Sequence, residues 1–567
     1  MRYLELAELY EKTSNTTKRL EKTKILSDFL KKLKESDSYV MYLISGNIYP
    51  EYDERKIGIS NQLTIKAIAK ATGTDTKKVE NQWKKIGDIG EVAKLLTSKK
   101  KQSTLHSEIL TTEKVTENIR KLTELTGNGT VAKKISLITE LLTSATPLES
   151  LYITRTIIGD LRIGVQESTI REAIAKTFFP SQEKSSDIIQ RAIDKTNDLA
   201  KVFEIAKKKD LKELEKMKLE VGKPIKAMLA QKAETIKAGF KELGSPCAIE
   251  YKYDGFRLLI HKHGEKVSLF TRRLEHVTKQ FPEVVEHVKK YIKGESFILD
   301  SEAVGYDKKT KKYTDFQAIS QRIRRKHNIE KLQKELPVEV NIFDILYYNG
   351  KSQLDEPFKK RSELTRKIIT KKPYKIIPSK QIITSDVKKA EEFYKKALKD
   401  NQEGVMLKNL DAEYKPGRRV GHMLKIKPDT RDLDLVITGG IYGTGKRSKW
   451  LSSFILSCKN KDEYLEIGKV GTGIKEKSEE GLSFEDLTKM LTPLIKKEKG
   501  KTVEIKPKII VAVHYQDIQK SPNYKSGFAL RFPRITTLRK DKPLSEINTL
   551  EEIKNDFIDQ KKSYMYG

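Results

Sequence analysis

CAIEYKYDGFRLLI, the stretch from Cys247 to Ile260, decides how the rest of the sequence is interpreted. In an extended backbone, side chains at alternate positions point to the same side. Glu250, Lys252 and Asp254 occupy such alternate positions, and Gly255 permits a turn directly after them. The stretch therefore predicts a lysine placed between two carboxylates at the end of a strand.

Lys252 is the candidate nucleophile of this stretch. An amine attacks only when it is unprotonated, so an ordinary lysine pKa of about 10.4 must be lowered by burial or by nearby cations. Arg257, Arg272 and Arg273 could supply such cations. Taken alone, a Lys-x-Asp-Gly tetrapeptide is weak support, because a solvated lysine beside an Asp-Gly turn has the same sequence.

The composition limits the number of domains, the class of partner and the use of cysteine that can be expected. The chain has 567 residues, which is too long for one hydrophobic core and predicts several domains. Lys and Arg number 112 against 79 Asp and Glu, a formal net charge of +33. This excess favours a polyanionic partner, although a lysine-rich proteome would have the same effect. Two cysteines, Cys247 and Cys458, are too few for a disulfide framework or a four-thiolate zinc site and suit a reducing compartment.

The residue pattern changes twice along the chain and divides it into three regions. Residues 1–217 carry apolar residues at helical spacings of three and four, which predicts an all-α domain. Residues 218–428 alternate short β-branched runs with turn signals, which predicts a mixed α/β domain. Residues 429–567 contain short strands punctuated by glycine, as in a small β-barrel, and a tail with a helix. The expected fold class is multidomain α+β.

Further motifs follow EYKYDGFR in a fixed order. They read TRRLEHVTKQFPE at 271–283, ILDSEAVGYD at 298–307, NIFDILYYNG at 341–350, EGVMLKN at 403–409 and GRRVGHMLKIKPDTRDLDLVI at 417–437. Together they resemble the nucleotidyltransferases that form a covalent lysyl-nucleotide, a superfamily of DNA ligases, RNA ligases and messenger-RNA capping enzymes. Six ordered matches are hard to obtain by chance.

Both ends of the chain resemble one branch of that superfamily. YITRTIIGDLRIGVQESTIREAIAKTF at 152–178 resembles the helical DNA-binding domain of archaeal and eukaryotic replicative ligases, and GKPIKAMLA at 222–230 resembles their linker. SGFALRFPRITTLRKDKP at 526–543 resembles the ligase C-terminal signature. The resemblance to ATP-dependent DNA ligases thus covers nearly the whole chain. It implies a helical DNA-binding domain at 1–217, an α/β adenylation domain at 218–428 and an OB-fold β-barrel domain at 429–567.

The resemblance implies that the protein seals nicks in duplex DNA with ATP, in replication, repair and recombination. Lys252 would attack the α-phosphorus of ATP and keep AMP as a phosphoramidate. AMP would then pass to the 5′-phosphate of a nick, from which the 3′-hydroxyl displaces it. Such transfers require cations and a divalent metal, here Mg²⁺ with Mn²⁺ as a substitute. NAD is disfavoured because NAD-dependent ligases rely on a four-cysteine zinc module.

Roles for individual residues follow from the same resemblance. They are Lys252 for catalysis, Glu250 for the adenine side, Arg257 and Arg272 for ribose and phosphate, Glu302 for the ribose, Phe343 for stacking on the base, Arg419 and Lys425 for phosphates, Lys427 on the same strand face as Lys425, and Glu302 with Glu403 for magnesium. Each residue has an ordinary structural alternative. A strand-end glutamate is usually solvated, and Phe343 would also suit a buried strand.

Two positions depart from the family pattern. His422-Met423-Leu424 stands where the family usually has a tryptophan before the paired lysines, and this change leaves the lysines intact. Ala512 stands where a barrel strand usually has glutamate. The second change puts in doubt a carboxylate role at that position, without touching the nucleotide site.

Two other functions remain open. An RNA ligase or a capping guanylyltransferase would be distinguished by an RNA acceptor or by GTP, although the N-terminal helices argue against both. A catalytically inactive, basic DNA-binding scaffold would bind nicked duplex without taking label from ATP.

The expected partners are nicked double-stranded DNA and, as a candidate, a sliding clamp. The first residues mix acids with apolar residues unlike a signal peptide, and no apolar run approaches the roughly 20 residues of a membrane span. A monomeric, cytoplasmic, nucleoid-associated protein without membrane attachment is therefore expected.

Overall fold

The computed structural model describes residues 1–100, 109–127, 129–314, 316–325, 328–418, 420–428, 432–476 and 482–566. Two compact units make up the chain. The first comprises Met1–Ser60 with Glu108–Lys427, and the second comprises Asn61–Ser107 with Pro428–Tyr566. Within the described ranges, the helices include none whose length and apolar content would suit a bilayer span.

The N-terminal region is helical, as its apolar spacing predicts. Its helices are α1 Tyr3–Ser14, α2 Arg19–Leu30, α3 Val40–Ile44, α4 Asn61–Thr72, α5 Thr76–Ile86, α6 Ile89–Ser98, α7 Thr112–Glu124, α8 Thr130–Ser144, α9 Pro147–Ile158, α10 Glu167–Phe178, α11 Ser185–Thr196, α12 Leu199–Lys207 and α13 Leu211–Lys216. All except α4, α5 and α6 belong to the first unit.

Helix α9 shows how local sequence sets these boundaries. Thr146 and Glu149 form a reciprocal capping box, and Pro147 occupies the first turn, where its missing N–H costs nothing. Gly159 ends the helix with a positive φ of 73°, a conformation that glycine adopts without steric cost. Between these signals the helix is buried along most of its length, so it forms part of the core of the helical region.

The α/β region of the first unit follows. Its helices are α14 Ile236–Leu243, α15 Pro282–Tyr291, α16 Phe316–Arg324, α17 Ile329–Glu335, α18 Phe358–Ile368 and α19 Val387–Lys399. Its strands are β1 Gln231–Lys232, β2 Cys247–Lys252, β3 Phe256–His263, β4 Lys266–Thr271, β5 Ser296–Gly305, β6 Val338–Tyr348, β7 Lys351–Ser352, β8 Ile376–Pro378, β9 Gln381–Thr384, β10 Gly404–Lys408 and β11 Met423–Ile426.

Two sheets organise this region. One has the strand order β1-β11-β10-β2-β9, and the other has the order β4-β3-β5-β6-β7 with β8 beside β6. Each sheet contributes to its own apolar core, the first around Ile249 and Leu407 and the second around Leu258 and Leu299. The motif that begins in β2 continues into β3, so the turn after Lys252 connects the two sheets.

The second unit contains the C-terminal strands. They are β12 Leu433–Tyr442, β13 Leu451–Asn460, β14 Glu463–Val470, β15 Ile495–Lys499, β16 Thr502–Ile505, β17 Ile510–His514, β18 Asp517–Lys520, β19 Phe528–Arg531 and β20 Arg534–Leu538, with helices α20 Phe484–Leu491 and α21 Leu550–Tyr566. Strand β12 pairs with β13 along one edge and with β17 and β16 along the other. The pairings among the described strands leave this sheet open.

Helices α4 to α6 belong to the second unit although they come early in the chain. The backbone N–H of Gly445 donates to the carbonyl of Gly87 at 3.3 Å. The ammonium group of Lys501 lies 5.0 Å from the centre of the Trp83 ring. The expected multidomain α+β class is confirmed, whereas the division at 217 and 428 stays a prediction.

Candidate active site

Lys252 is the last residue of β2, where that strand pairs with β10. The backbone N–H of Glu403 donates to the Lys252 carbonyl at 2.9 Å. Gly404 follows with a φ of +143°, and a Cβ there would overlap the carbonyl oxygen of Ile426. Glycine is therefore required at this close approach, which brings β10 and the end of β11 against Lys252.

Lys252 and Lys427 share one carboxylate. Nζ of Lys252 lies 2.5 Å from Oε2 of Glu403, and Nζ of Lys427 contacts the same oxygen. Burial opposes the ionisation of Glu403, but the attraction of the two lysines outweighs it and lowers the pKa of Glu403. Burial and repulsion from Lys252 lower the pKa of Lys427. The candidate nucleophile thus lies beside a carboxylate and a second cation.

Glu302 faces this cluster from β5. It lies opposite Arg257 in the pairing of β3 with β5. Gly255 allows a close approach to β5, because a Cβ there would overlap the backbone of that strand. Burial raises the pKa of the Glu302 carboxyl to about 8, attraction from Lys252 acts against this rise, and repulsion from Glu403 adds to it. The structure therefore brings Glu302, Glu403 and Lys252 together.

Arg257 is held in the interior by Asp300 and Tyr414. Its Nη2 lies 2.5 Å from Oδ2 of Asp300 and donates to the Tyr414 hydroxyl at 2.9 Å. The Tyr414 hydroxyl donates to the same carboxylate at 3.0 Å and accepts from the backbone N–H of Met228 at 3.1 Å. Burial works against the charge of Arg257, but Asp300 outweighs it and raises the pKa of the guanidinium. Arg257 is thereby fixed in one orientation.

Glu250 and Phe343 are brought together by Lys408. Nζ of Lys408 lies 2.8 Å from Oε2 of Glu250 and donates to the carbonyl of Phe343 at 3.2 Å. The same ammonium group lies 4.9 Å from the centre of the Phe343 ring. Glu250 and Phe343, predicted to contact the base, are therefore neighbours in the structure.

The remaining predicted residues differ in their placement. Lys425 is half-buried in β11 and lies opposite Met406 of β10. Arg272 is exposed in the turn after β4. Arg419 lies outside the described residues. The structure thus places Lys425 in the strand that leads to Lys427, and leaves Arg272 on the surface.

The carboxylates of Glu302 and Glu403 suit magnesium. Magnesium takes oxygen ligands, commonly one or two carboxylates completed by phosphate oxygens and water. Among the described residues, no group of three or more His, Cys, Asp or Glu side chains could hold a metal ion by itself. A metal held here would therefore complete its coordination with water or with phosphate oxygens.

Comparison with known proteins identifies the family. Residues 227–427 match the family described as ATP dependent DNA ligase domain. The chain belongs to the ATP-dependent DNA ligases. Residues 2–175 match the family described as DNA ligase N terminus, and residues 447–542 match the ATP dependent DNA ligase C terminal region. The resemblance seen in the motifs is confirmed along most of the chain.

Full-length relatives support the assignment to the ATP-dependent DNA ligases. The DNA ligase of Nanoarchaeum equitans is 45% identical over 565 residues, covering 99% of each chain. The DNA ligase of Thermococcus onnurineus is 42% identical, covering 98% of this chain and 97% of its own. The solved structure named Pmar-Lig_PreS3 covers 94% of this chain and 99% of its own with a TM-score of 0.58, at 18% identity. The last likeness concerns the fold alone.

Sequence reasoning missed several residues of this ATP-dependent DNA ligase site. Lys408 lies within the motif EGVMLKN, and its position at the end of a short strand could have indicated a role in the site. Asp300 likewise lies within ILDSEAVGYD, two residues before Glu302. Tyr414 stands outside the motifs that were matched, and its contacts depend on the tertiary fold.

Proposed function

We propose that the chain seals nicks in duplex DNA by carrying AMP from ATP on Lys252. The observation that carries this proposal is the placement of the Lys252 amine against Glu403, with Lys427 on the same carboxylate. A lysine that must attack a polyphosphate needs a fixed position and neighbouring positive charge. Membership in the ATP-dependent DNA ligases supports the choice of nucleotide and acceptor.

The proposed reaction has three transfers. Nζ of Lys252 forms a bond to the α-phosphorus, the bond to the bridging oxygen breaks, and pyrophosphate leaves while the amine loses a proton. An oxygen of the 5′-phosphate at the nick then attacks the AMP phosphorus, and the bond to Lys252 breaks as its nitrogen keeps the bonding electrons and takes up a proton. The 3′-hydroxyl oxygen finally attacks the 5′-phosphorus, AMP leaves with the bonding electrons, and the hydroxyl proton is released.

The surrounding residues would bind the adenine, the ribose, the phosphates and the metal. Glu250 and Phe343 would position the adenine, since Lys408 holds them side by side. Lys425 and Lys427 would face phosphates, and Arg257, Arg272 and Arg419 would contribute further cations to the ribose and phosphates. Glu302 also remains a candidate contact to the ribose. With Glu403 it would hold Mg²⁺ or Mn²⁺, which neutralises phosphate charge when bound.

We also propose three domains: a DNA-binding domain at 1–217, an adenylation domain at 218–428 and an OB-type barrel domain at 429–567. The helical, α/β and β character of the successive regions supports this division. The net charge of +33 suits a protein that grips DNA through phosphates, as a sealer of nicks in any sequence must.

The test is transfer of label from ATP radiolabelled at the α-phosphate to the purified full-length protein with Mg²⁺. The native protein should take a label that survives denaturation and is lost when nicked duplex DNA is added. Lys252→Ala should take none, whereas Lys266→Ala, at an exposed lysine on β4, should label like the native protein. Label from GTP alone, or label that persists in Lys252→Ala, would refute the proposal.

A further inference from the structure

Glu250 is a buried carboxylate whose two oxygens have separate partners. It is 2% exposed and sits on β2 between β10 and β9. Oε2 pairs with Nζ of Lys408 at 2.8 Å, and Oε1 accepts from Nε2 of Gln381 at 2.8 Å. Gln381 is the residue directly opposite Glu250 in the pairing of β2 with β9. Both oxygens of this buried carboxylate therefore accept, one from a cation and one from an amide donor.

Both partners are themselves held in place. Lys408 is 6% exposed, donates to the Phe343 carbonyl, and lies 4.5 Å from the centre of the Phe358 ring. Nε2 of Gln381 also donates to the hydroxyl of Ser362 at 3.0 Å, and that hydroxyl can donate to Oε1 of Gln381 at 3.3 Å. The amide therefore presents its N–H side, and not its oxygen, to Glu250.

An ionised carboxylate only accepts hydrogen bonds, whereas a protonated carboxyl can also donate one. Adenine carries an amino group at position 6, which donates, and hypoxanthine and guanine carry a carbonyl oxygen there, which accepts. Glu250 as an anion can bind the first group and repels the second. A site built to accept a hydrogen bond rejects a ligand that cannot donate it, because buried polar groups then stay unpaired.

We propose that Lys408 and Gln381 are specificity-determining residues, which select a 6-amino purine by keeping Glu250 an acceptor. They act through Glu250 and need not touch the nucleotide. The inference rests on the proposed function, in which Glu250 faces the adenine. It goes beyond that function because it names the two residues that decide why ATP is accepted and 6-oxo purine nucleotides are not.

The experiment compares self-labelling of the full-length protein with α-labelled ATP and ITP, because ITP has the 6-oxo group without the 2-amino group of guanine. The readout is the ratio of kcat/KM for the two nucleotides. Lys408→Met removes the cation that holds Oε2 of Glu250, so the carboxylate is no longer fixed as an acceptor for the 6-amino group. The ATP-to-ITP ratio should then fall by about tenfold or more. Lys408→Arg keeps the charge and should restore most of the ratio.

Gln381→Leu is the second variant, at a half-buried position of an edge strand. It removes a neutral donor, so the ratio should fall in the same direction but less than in Lys408→Met. Lys380→Met is the matched control. Lys380 is adjacent in sequence but pairs with Asp400 at 2.8 Å, so the ratio should stay at the native value.

The outcomes separate two failures. If the native protein labels with ATP, and Lys408→Met and Gln381→Leu lose activity equally with both nucleotides, the residues are merely structural and the inference is overturned. A lowered ratio in Lys380→Met as well would also overturn it. If the native protein takes no label from ATP, the proposed function fails and the inference fails with it.

Discussion

Replacing Asp194 by asparagine should stabilise this protein at neutral pH. Asp194 lies on α11, and its side chain is 11% exposed. Burial raises its pKa to about 6, although a hydrogen bond from Gln190 at 2.8 Å and the guanidinium of Arg418 at 3.6 Å act against this rise. The ionised carboxylate is therefore less favourable in the folded protein than in the unfolded chain.

The magnitude follows from the two pKa values. The ordinary value of 3.8 rises to about 6 on folding. The difference of about 2 corresponds to about 3 kcal/mol, at about 1.4 kcal/mol for each whole step of pKa. Because the folded state holds the proton longer, stability from Asp194 is present below pH 4 and is lost as the pH rises from about 4 to about 6. Asparagine keeps an acceptor for Gln190 and cannot ionise.

The assay is urea unfolding of the full-length native and Asp194→Asn proteins, followed by circular dichroism at pH 4.5 and pH 7.5. The free energy of unfolding should favour Asp194→Asn by about 3 kcal/mol at pH 7.5 and by much less at pH 4.5. Asp187→Asn, at an exposed position of the same helix, should change stability by less than about 1 kcal/mol. A variant that is less stable than the native protein at pH 7.5, or a gap that does not depend on pH, would refute this reasoning.

Three further predictions concern buried polar contacts of the α/β region and the binding of DNA. Tyr414→Phe removes the hydroxyl shared by Arg257 and Asp300 and should lower the free energy of unfolding, measured in urea, by about 1–3 kcal/mol. Arg361→Leu leaves the buried carboxylate of Asp344 without its cation and should cost about 3–5 kcal/mol in the same assay, part of which a second substitution, Asp344→Asn, should recover. Binding to nicked duplex, measured by fluorescence anisotropy, should weaken by about a hundredfold or more between 50 and 200 mM salt, and a flat salt response would contradict phosphate-based binding.

The alternation in β2 shows how far sequence reasoning reaches. Their alternate positions predict that Glu250 and Lys252 lie on one side of a strand, and β2 contains both residues. Asp254 follows the same alternation but lies in the turn beyond β2, where its carboxylate accepts from the backbone N–H of Phe316 at 3.3 Å. The alternation of side chains applies only where the chain is extended, and it ends with β2. The carboxylate that contacts Lys252 is that of Glu403, which is distant in sequence.

The sequence does not show which charged side chains of the site pair with one another. Arg257 follows Lys252 closely, yet its guanidinium is bound to Asp300, and the cation that shares the Glu403 carboxylate is Lys427. These pairings depend on strand order, since β10 lies between β2 and β11 in the sheet. The same limit applies to α4–α6, whose sequence has ordinary helical spacing and carries no sign of their contacts with Gly445 and Lys501, which lie between C-terminal strands.

In the proposed chemistry, the net charge around Lys252 changes when the lysine is adenylated. The amines of Lys252 and Lys427 both contact the single carboxylate of Glu403, and the raised pKa of Glu302, about 8, reduces the negative charge of that carboxyl near neutral pH. The cluster is therefore net positive before the reaction, which favours the polyphosphate of ATP. A phosphoramidate nitrogen carries no positive charge, so adenylation removes the Lys252 cation and leaves Glu403 paired with Lys427 alone. The loss of one positive charge weakens the attraction for the departing pyrophosphate, so the same pair of lysines favours entry of ATP and release of the first product.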